Sequence, residues 1–269
     1  MKDEALQIVA EVPTEQDRLN HLREYLQHAI LREMYEIGWL PQLIFHGGTA
    51  LRILHGLRRF SEDLDFHLDH SESQYEIESE VAELKRRLEL GGYEVEYSPP
   101  SAGNVRSTFV KFAGGLLHEA GISPHVDQKL QIKLEIDTNP PEGFQGEESL
   151  VNEYFPLALT HHDRGSFIAG KCHAILQREW AKGRDLFDLL FYLTRWDDAE
   201  PNFVYLNNAL QQTGYRGGEV DASNWREKIL ERVENVDWPS MREDVRPFLL
   251  DARDLGTFRK QFLVAALEQ

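Results

Sequence analysis

The sequence holds a single cysteine, Cys172, so an intrachain disulfide is excluded and a reducing compartment is expected. No stretch approaches the ~20 consecutive apolar residues that a membrane-spanning helix needs. The first residues, MKDEALQIVAEV, are charged from the start and lack an apolar core, which predicts a cytoplasmic protein with no secretory signal and no membrane partner. Internal repeats and low-complexity tracts are absent. Positive charge is also short: 29 Lys and Arg stand against 46 Asp and Glu, a formal charge of −17. That balance excludes a whole-surface nucleic-acid binder but leaves room for a local basic channel. The 11 histidines fall in no metal-ligand spacing, and no Ser-His-Asp or Cys-His signature is present. What remains is an ordinary globular composition, 41% hydrophobic over 269 residues, enough core for one large domain or two small ones.

The informative stretch is residues 45 to 66, FHGGTALRILHGLRRFSEDLDF. Gly47 and Gly48 have no side chains, so a phosphate can approach the backbone, and Thr49 offers a hydroxyl and an N–H. Apolar residues at 50, 51, 53 and 54 predict a helix that starts at Thr49, with its N-terminal N–H groups and dipole aimed at an anion. Arg58 and Arg59 follow in a basic connector. Asp63 and Asp65 then share one face of a strand while Leu64 and Phe66 enter the core. Two close carboxylates repel unless a cation lies between them, and oxygen-only ligands favour Mg²⁺, with Mn²⁺ as the substitute. Taken singly, a Gly-Gly-Thr turn is usually just a turn, and an Asp-x-Asp pair in an acidic protein is usually solvated. Taken in this order, they describe an enzyme that seats a nucleoside triphosphate beside a metal and activates an incoming hydroxyl.

The string HGGTALRILHGLRRFSEDLDF closely resembles the first motif of the AbiEii/AbiGii-type toxin nucleotidyltransferases, within the polymerase-β-like superfamily. The later run KCHAILQREWAKGRDLFDL is similar to that family's K-x-x-A-x-x-x-R stretch followed by R-D-x-x-D. The likeness covers roughly residues 40 to 195.

The chain order gives an α+β protein. Residues 15 to 37 have helical apolar spacing, with Thr14 to cap the start and Gly38 the end. Trp39 to Phe45 reads as a buried strand. Ser71 or Ser73 is expected to open a helix that runs to Leu90. Tyr93–Tyr97 and Val105–Phe112 read as strands, and Gly114–Gln128 as a loop, hairpin or lid. KLQIKLEIDT, from Lys129, is the clearest strand: Leu130, Ile132, Leu134 and Ile136 share one face, Gln131, Lys133, Glu135 and Asp137 the other. Asn139-Pro140-Pro141-Glu142-Gly143 is a strong breaker. It places a boundary near 140 to 156, with a nucleotidyltransferase α+β domain over 1–150 and a helical domain over 151–269 that completes an active-site cleft. Asp163 caps a helix through SFIAGKCHAILQREW, Gly183 interrupts it, and RDLFDLLFYLTRW continues. Leu206, Leu210, Trp225, Ile229, Leu230 and Val233 read as core beyond it.

The resemblance implies a polymerase-β-like mixed sheet followed by helices, and it assigns roles. Asp63, Asp65 and Glu135 would hold the metal, with Glu135 as the third carboxylate. Asp137, on the same strand face, is an open alternative. Gly47, Gly48, Thr49, Arg59, Lys133, Arg178 and Arg184 would bind the nucleotide. Lys171 would neutralise the leaving pyrophosphate, and Asp185 would be the functional acid of the R-D pair, with Asp188 the alternative. The bland alternative for 171–188 is an interhelix ion-pair cluster. The family is expected to act on RNA, such as a tRNA 3′ end, in a toxin–antitoxin or phage-defence setting with a cognate antitoxin. It departs here in one respect, a Glu in place of the commoner Asp at position 135. Two other outcomes stay open: transfer to a protein or to a small molecule such as an aminoglycoside, and a non-catalytic module that binds only a nucleotide or an antitoxin.

Overall fold

The structure, a computed structural model, describes residues 1–72, 74–196 and 198–269. In chain order the first elements are α1 (Lys2–Ala10), α2 (Glu15–Glu36), β1 (Leu43–His46), α3 (Gly47–His55), β2 (Leu64–Leu68), α4 (Glu78–Leu90), β3 (Val95–Tyr97), β4 (Val105–Phe112), α5 (Leu116–Glu119), β5 (Leu130–Asp137), β6 (Gly146–Asn152) and β7 (Pro156–His162). The remaining helices are α6 (Arg164–Gln177), α7 (Gly183–Arg195), α8 (Phe203–Gln212), α9 (Trp225–Glu234), α10 (Trp238–Val245) and α11 (Lys260–Leu267). The chain divides into an α/β unit of residues 1–54, 60–140 and 148–161, and a helical unit of residues 55–59, 141–147 and 162–269.

In the α/β unit the described residues form one mixed sheet with strand order β3-β4-β5-β2-β1-β7-β6. The pairs β1–β2, β3–β4 and β4–β5 are antiparallel, while β2–β5 and β1–β7 are parallel. Period-2 alternation divides its faces. One face is apolar and buried, with Phe45, Leu64, Phe66, Ile132, Leu134 and Ile136, and Phe45 stacks on Phe66 at 4.9 Å. The other face carries the polar side chains.

Helix α2 has the expected ends: the Thr14 hydroxyl accepts the Asp17 N–H at 3.1 Å, and Gly38 takes φ +74°, open to glycine at little cost. Leu22, Leu26, Ile30 and Met34 are buried on it. Each such side chain contributes about 1.5–3 kcal/mol. The helix is less amphipathic than its spacing suggests, because Asn20, Glu24, Gln27 and His28 are buried too.

Several sequence expectations need correcting. Helix α3 begins at Gly47, two residues before Thr49. The helix expected from Ser71 starts at Glu78, where Glu78 and Glu80 suit the dipole; Ser73 lies outside the described residues. The 114–128 segment contains the short helix α5. Strands β6 and β7 add to the expected elements: both follow the Asn-Pro-Pro-Glu-Gly breaker, and β6 shows mostly exposed side chains that carry no hydrophobic signal.

The helical unit starts α6 on the Asp163 carboxylate, which accepts the Ser166 N–H at 2.8 Å. The helix stops at Gln177, short of the expected Trp180, and Arg178 is its extended C-cap. Gly183 opens α7, where a Cβ would collide with the Met241 carbonyl of α10. Leu206, Leu210, Trp225, Ile229 and Val233 are buried as expected, and Leu230 is half-buried. Among the described residues no helix is long and apolar enough to cross a membrane.

Candidate active site

The first cluster grows out of the β1–α3 turn. Gly47 leaves β1 with φ +78°, and the Asp65 carboxylate packs onto its Cα so closely that a Cβ there would overlap an Asp65 oxygen. The glycine seat and the strand acid are therefore one place. Gly48 follows as the second residue of α3, whose N-terminal amides and positive dipole end begin at this seat.

Strand register then sets a row of side chains across the polar face. His46 on β1 lies opposite Asp65 on β2, Asp65 opposite Glu135 on β5, and Glu135 opposite Ser107 on β4. Opposed residues share a face, with Cβ atoms roughly 4.5–5.5 Å apart in antiparallel pairs. Asp63 precedes β2 by one residue. The Lys133 ammonium donates to Glu135 at 2.9 Å. Glu135, then Asp63 and Asp65, raise the Lys133 pKa against the opposing effect of burial. A fixed cation thus sits in the field of all three acids.

The register also separates Glu135 from Asp137. Asp137 lies one row further, opposite His67, and accepts the Asn139 N–H at 2.9 Å. Burial pushes its pKa up, the reverse of what a metal-binding carboxylate needs. The His46 and His67 rings lie 4.0 Å apart on this same face.

Thr49 does not present its hydroxyl to a phosphate. It is 1% exposed, and its hydroxyl donates to the Asp63 backbone carbonyl. Gln27 on α2 donates to the Ser61 carbonyl at 3.1 Å and to the Thr49 hydroxyl at 3.5 Å. Beside them Glu24 accepts from Arg52 Nε at 2.6 Å. A buried polar strip on α2 therefore fixes α3 and the segment that carries Asp63. Sequence reasoning missed Gln27 and Glu24, because polar residues on a helix read as a wet face by default. The only available signal was their spacing: Asn20, Glu24 and Gln27 at i, i+4 and i+7 form one stripe.

The second cluster lies within the helical unit. Asp188 on α7 is 0% exposed and receives Arg59 Nε and Nη2 at 2.7 and 2.6 Å, a two-point fork. Lys171 on α6 reaches Asp188 at 2.8 Å and Asp185 at 3.1 Å. Arg178 completes the set by donating to Asp185. Three cations thus meet two carboxylates. Burial alone would raise the Asp188 pKa, yet Arg59 and Lys171 hold it below the usual range. Burial works the other way on Arg59 and Lys171, and both are held above their ordinary values by Asp188 first and Asp185 next. This is the interhelix ion-pair arrangement. Arg59, expected at the nucleotide, is instead buried as the fork that holds α7. Arg184 stacks its guanidinium over Phe248 at 4.5 Å.

Among the described residues no group of three or more His, Cys, Asp or Glu side chains is arranged to hold a metal ion. The carboxylates here, Asp65 at the glycine seat and Asp63 one residue before its strand, offer oxygen donors, while Glu135 is already paired to Lys133. Mg²⁺ needs no full protein cage, since it takes one or two carboxylates and completes its shell with water and substrate phosphates. The pair fits that habit.

The model of the family described as nucleotidyl transferase AbiEii toxin, Type IV TA system, matches residues 29–262. No curated protein matches. A crystal structure from Helicobacter pylori, provisionally assigned as a nucleotidyltransferase, is 22% identical, covering 91% of this chain and 95% of that one at a TM-score of 0.46. The H. pylori protein JHP933 is 21% identical, covering 91% and 92% at a TM-score of 0.46.

Proposed function

Since the chain belongs to the AbiEii nucleotidyltransferase toxin family, we propose that this nucleotidyltransferase moves a nucleoside monophosphate from an NTP onto a hydroxyl of RNA, a tRNA 3′ end being the acceptor. The observation that carries the reading is the Asp65 carboxylate packed on the Gly47 Cα at the start of α3. A triphosphate seated there lies over main-chain amides and beside strand acids. Asp63 and Asp65 would hold Mg²⁺, or Mn²⁺ in its place. When bound, the ion neutralises phosphate oxygens and favours the ionised form of the attacking hydroxyl.

The chain's own residues do the rest. Gly47 and Gly48 let the phosphates approach the backbone, and the α3 amides receive their charge. Glu135, in register with Asp65, accepts the proton of the acceptor hydroxyl. The hydroxyl oxygen then bonds to the α-phosphorus as the bond from that phosphorus to the bridging oxygen breaks, and pyrophosphate carries away the electron pair. Lys133 supplies a fixed positive charge beside the acids in the α/β unit. Arg59, Lys171, Asp185 and Asp188 position α6 and α7 through their ion pairs. The setting proposed is a toxin–antitoxin pair with a cognate antitoxin, serving phage defence.

Incubation with each labelled NTP, Mg²⁺ and total RNA tests this. Label is expected on tRNA-sized species, and Asp63→Ala should abolish it while far-UV circular dichroism stays unchanged. Label on protein, label on a small molecule, or wild-type transfer by the variant overturns the reading.

A further inference from the structure

We propose that Phe109 is a stacking platform for a nucleobase, set on the same sheet face as the acids. The inference rests on the nucleotidyl-transfer reading and extends it to where a base lies. Phe109 on β4 is opposite Lys133 on β5, and Ser107, two residues away, is opposite Glu135. Phe109 therefore shares a face with Lys133, Glu135 and Asp65. Its ring is 37% exposed, whereas Thr108, Val110 and Phe112, which alternate to the other face, are buried.

Exposed apolar residues are common and most need no explanation. Three observations set Phe109 apart. It stands in an otherwise polar field of Ser107, Lys111, Lys133 and Glu135. Its backbone is anchored to Ser98 on one edge, where the Phe109 N–H donates to the Ser98 hydroxyl at 2.9 Å and its carbonyl accepts the Ser98 N–H at 3.1 Å, and its strand pairs with β5 along the other edge. The ring is thus presented by a fixed backbone. Third, two same-face neighbours are lysines, Lys111 two residues along the strand and Lys133 across it, the latter paired with Glu135. An aromatic residue with lysines at neighbouring strand positions is the kind of surface that binds bases by their π-faces and backbones by charge, with little sequence preference. A cross-strand diagonal of about 7–8 Å separates Phe109 from Glu135, and one strand spacing of about 4.8 Å lies beyond to Asp65. A nucleotide spans that interval, base on the ring and phosphate at the acids.

The base belongs either to the NTP or to the terminal nucleotide of the acceptor, and steady-state kinetics of the full chain separates the two. In Phe109→Ala the KM for one substrate is expected to rise about five- to a hundredfold, the loss of one stacked base. Phe109→Tyr should keep it within twofold. A rise confined to the NTP assigns the incoming base; a rise confined to RNA assigns the acceptor. A readout independent of turnover uses Phe109→Trp: each NTP and a short single-stranded RNA should quench its fluorescence beyond the wild-type response. Both KM values within twofold in Phe109→Ala, together with no added quenching in Phe109→Trp, overturn the platform. A wild-type protein that transfers no label fails the parent reading alone, because the quenching still decides the platform.

Discussion

Gly47 holds φ +78° with the Asp65 carboxylate against its Cα. Alanine at that position meets two obstacles at once, a backbone angle that L-residues avoid and an oxygen where its methyl must go. Gly47→Ala should cost about 1–3 kcal/mol from the backbone angle alone. It should also displace Asp65 and remove transfer. Urea unfolding and label transfer measured together check this, and a variant with wild-type activity would show that Asp65 can move without consequence. Thr49 makes a different argument. Its hydroxyl is enclosed between Gln27 and the Asp63 carbonyl, so Thr49→Val keeps the shape and removes the donor. Loss of the hydroxyl donor to the Asp63 carbonyl should lower stability by about 1–3 kcal/mol. Transfer should fall while the Mg²⁺ needed for half-activation rises, and Thr49→Ser should restore both. That Asp65 meets the glycine turn was legible in the sequence because the pattern that places the two is local, although Asp63 falls one residue before the strand. Glu135 and Asp137 were not separable, since alternation puts both on one face. Register and the Asn139 N–H distinguish them, and both come from other segments.

Helices α6 and α7 are joined by charge as well as by apolar packing. Asp188, itself 0% exposed, pairs with a guanidinium that is 3% exposed and an ammonium side chain that is 14% exposed. Asp188→Asn leaves Arg59 and Lys171 buried without their main counter-charge, and removing one partner of such a set costs about 3–5 kcal/mol. The sign of the pH effect follows from the lowered Asp188 pKa. Its contribution is complete above the ordinary carboxylate range and disappears as pH falls through the lowered folded value. The difference in Tm between wild type and Asp188→Asn should therefore be constant near neutrality and shrink as pH falls below the ordinary carboxylate range. A difference that stays constant to pH 2 would mean Asp188 carries no buried charge. The run K-x-x-A-x-x-x-R…R-D-x-x-D named these residues, but not their partners. Arg59 lies 129 positions from Asp188. Nothing in a linear pattern shows that a basic connector closes on a distant helix.

At the scale of the molecule, the assignment of segments to units was the least legible property. Residues 55–59 and 141–147 cluster with the helical unit although strands of the α/β unit lie on both sides of them in sequence. Composition changes too little across such short pieces to mark the crossing. Net charge, by contrast, is fully legible, and it constrains how the proposed RNA acceptor would be held. A protein at −17 repels RNA at long range, so binding has to come from a few local cations and from stacking. Salt then has two opposed effects: it weakens each phosphate contact and screens the repulsion. A basic-faced binder with six to ten phosphate contacts loses about 10³–10⁵ in affinity between 50 and 200 mM salt. With a handful of lysines such as Lys111 and Lys133 facing the acceptor, and repulsion relieved over the same range, the KM for RNA should rise by less than about tenfold. The NTP requirement should be no steeper, since on the proposed reading its phosphates would meet backbone amides and a bound Mg²⁺. Initial rates at varied RNA and monovalent salt, with Mg²⁺ held fixed, measure the slope. A slope as steep as that of a basic-faced binder would require an extended positive surface that 29 Lys and Arg against 46 Asp and Glu do not readily supply, and would move the RNA off the short strand-borne site.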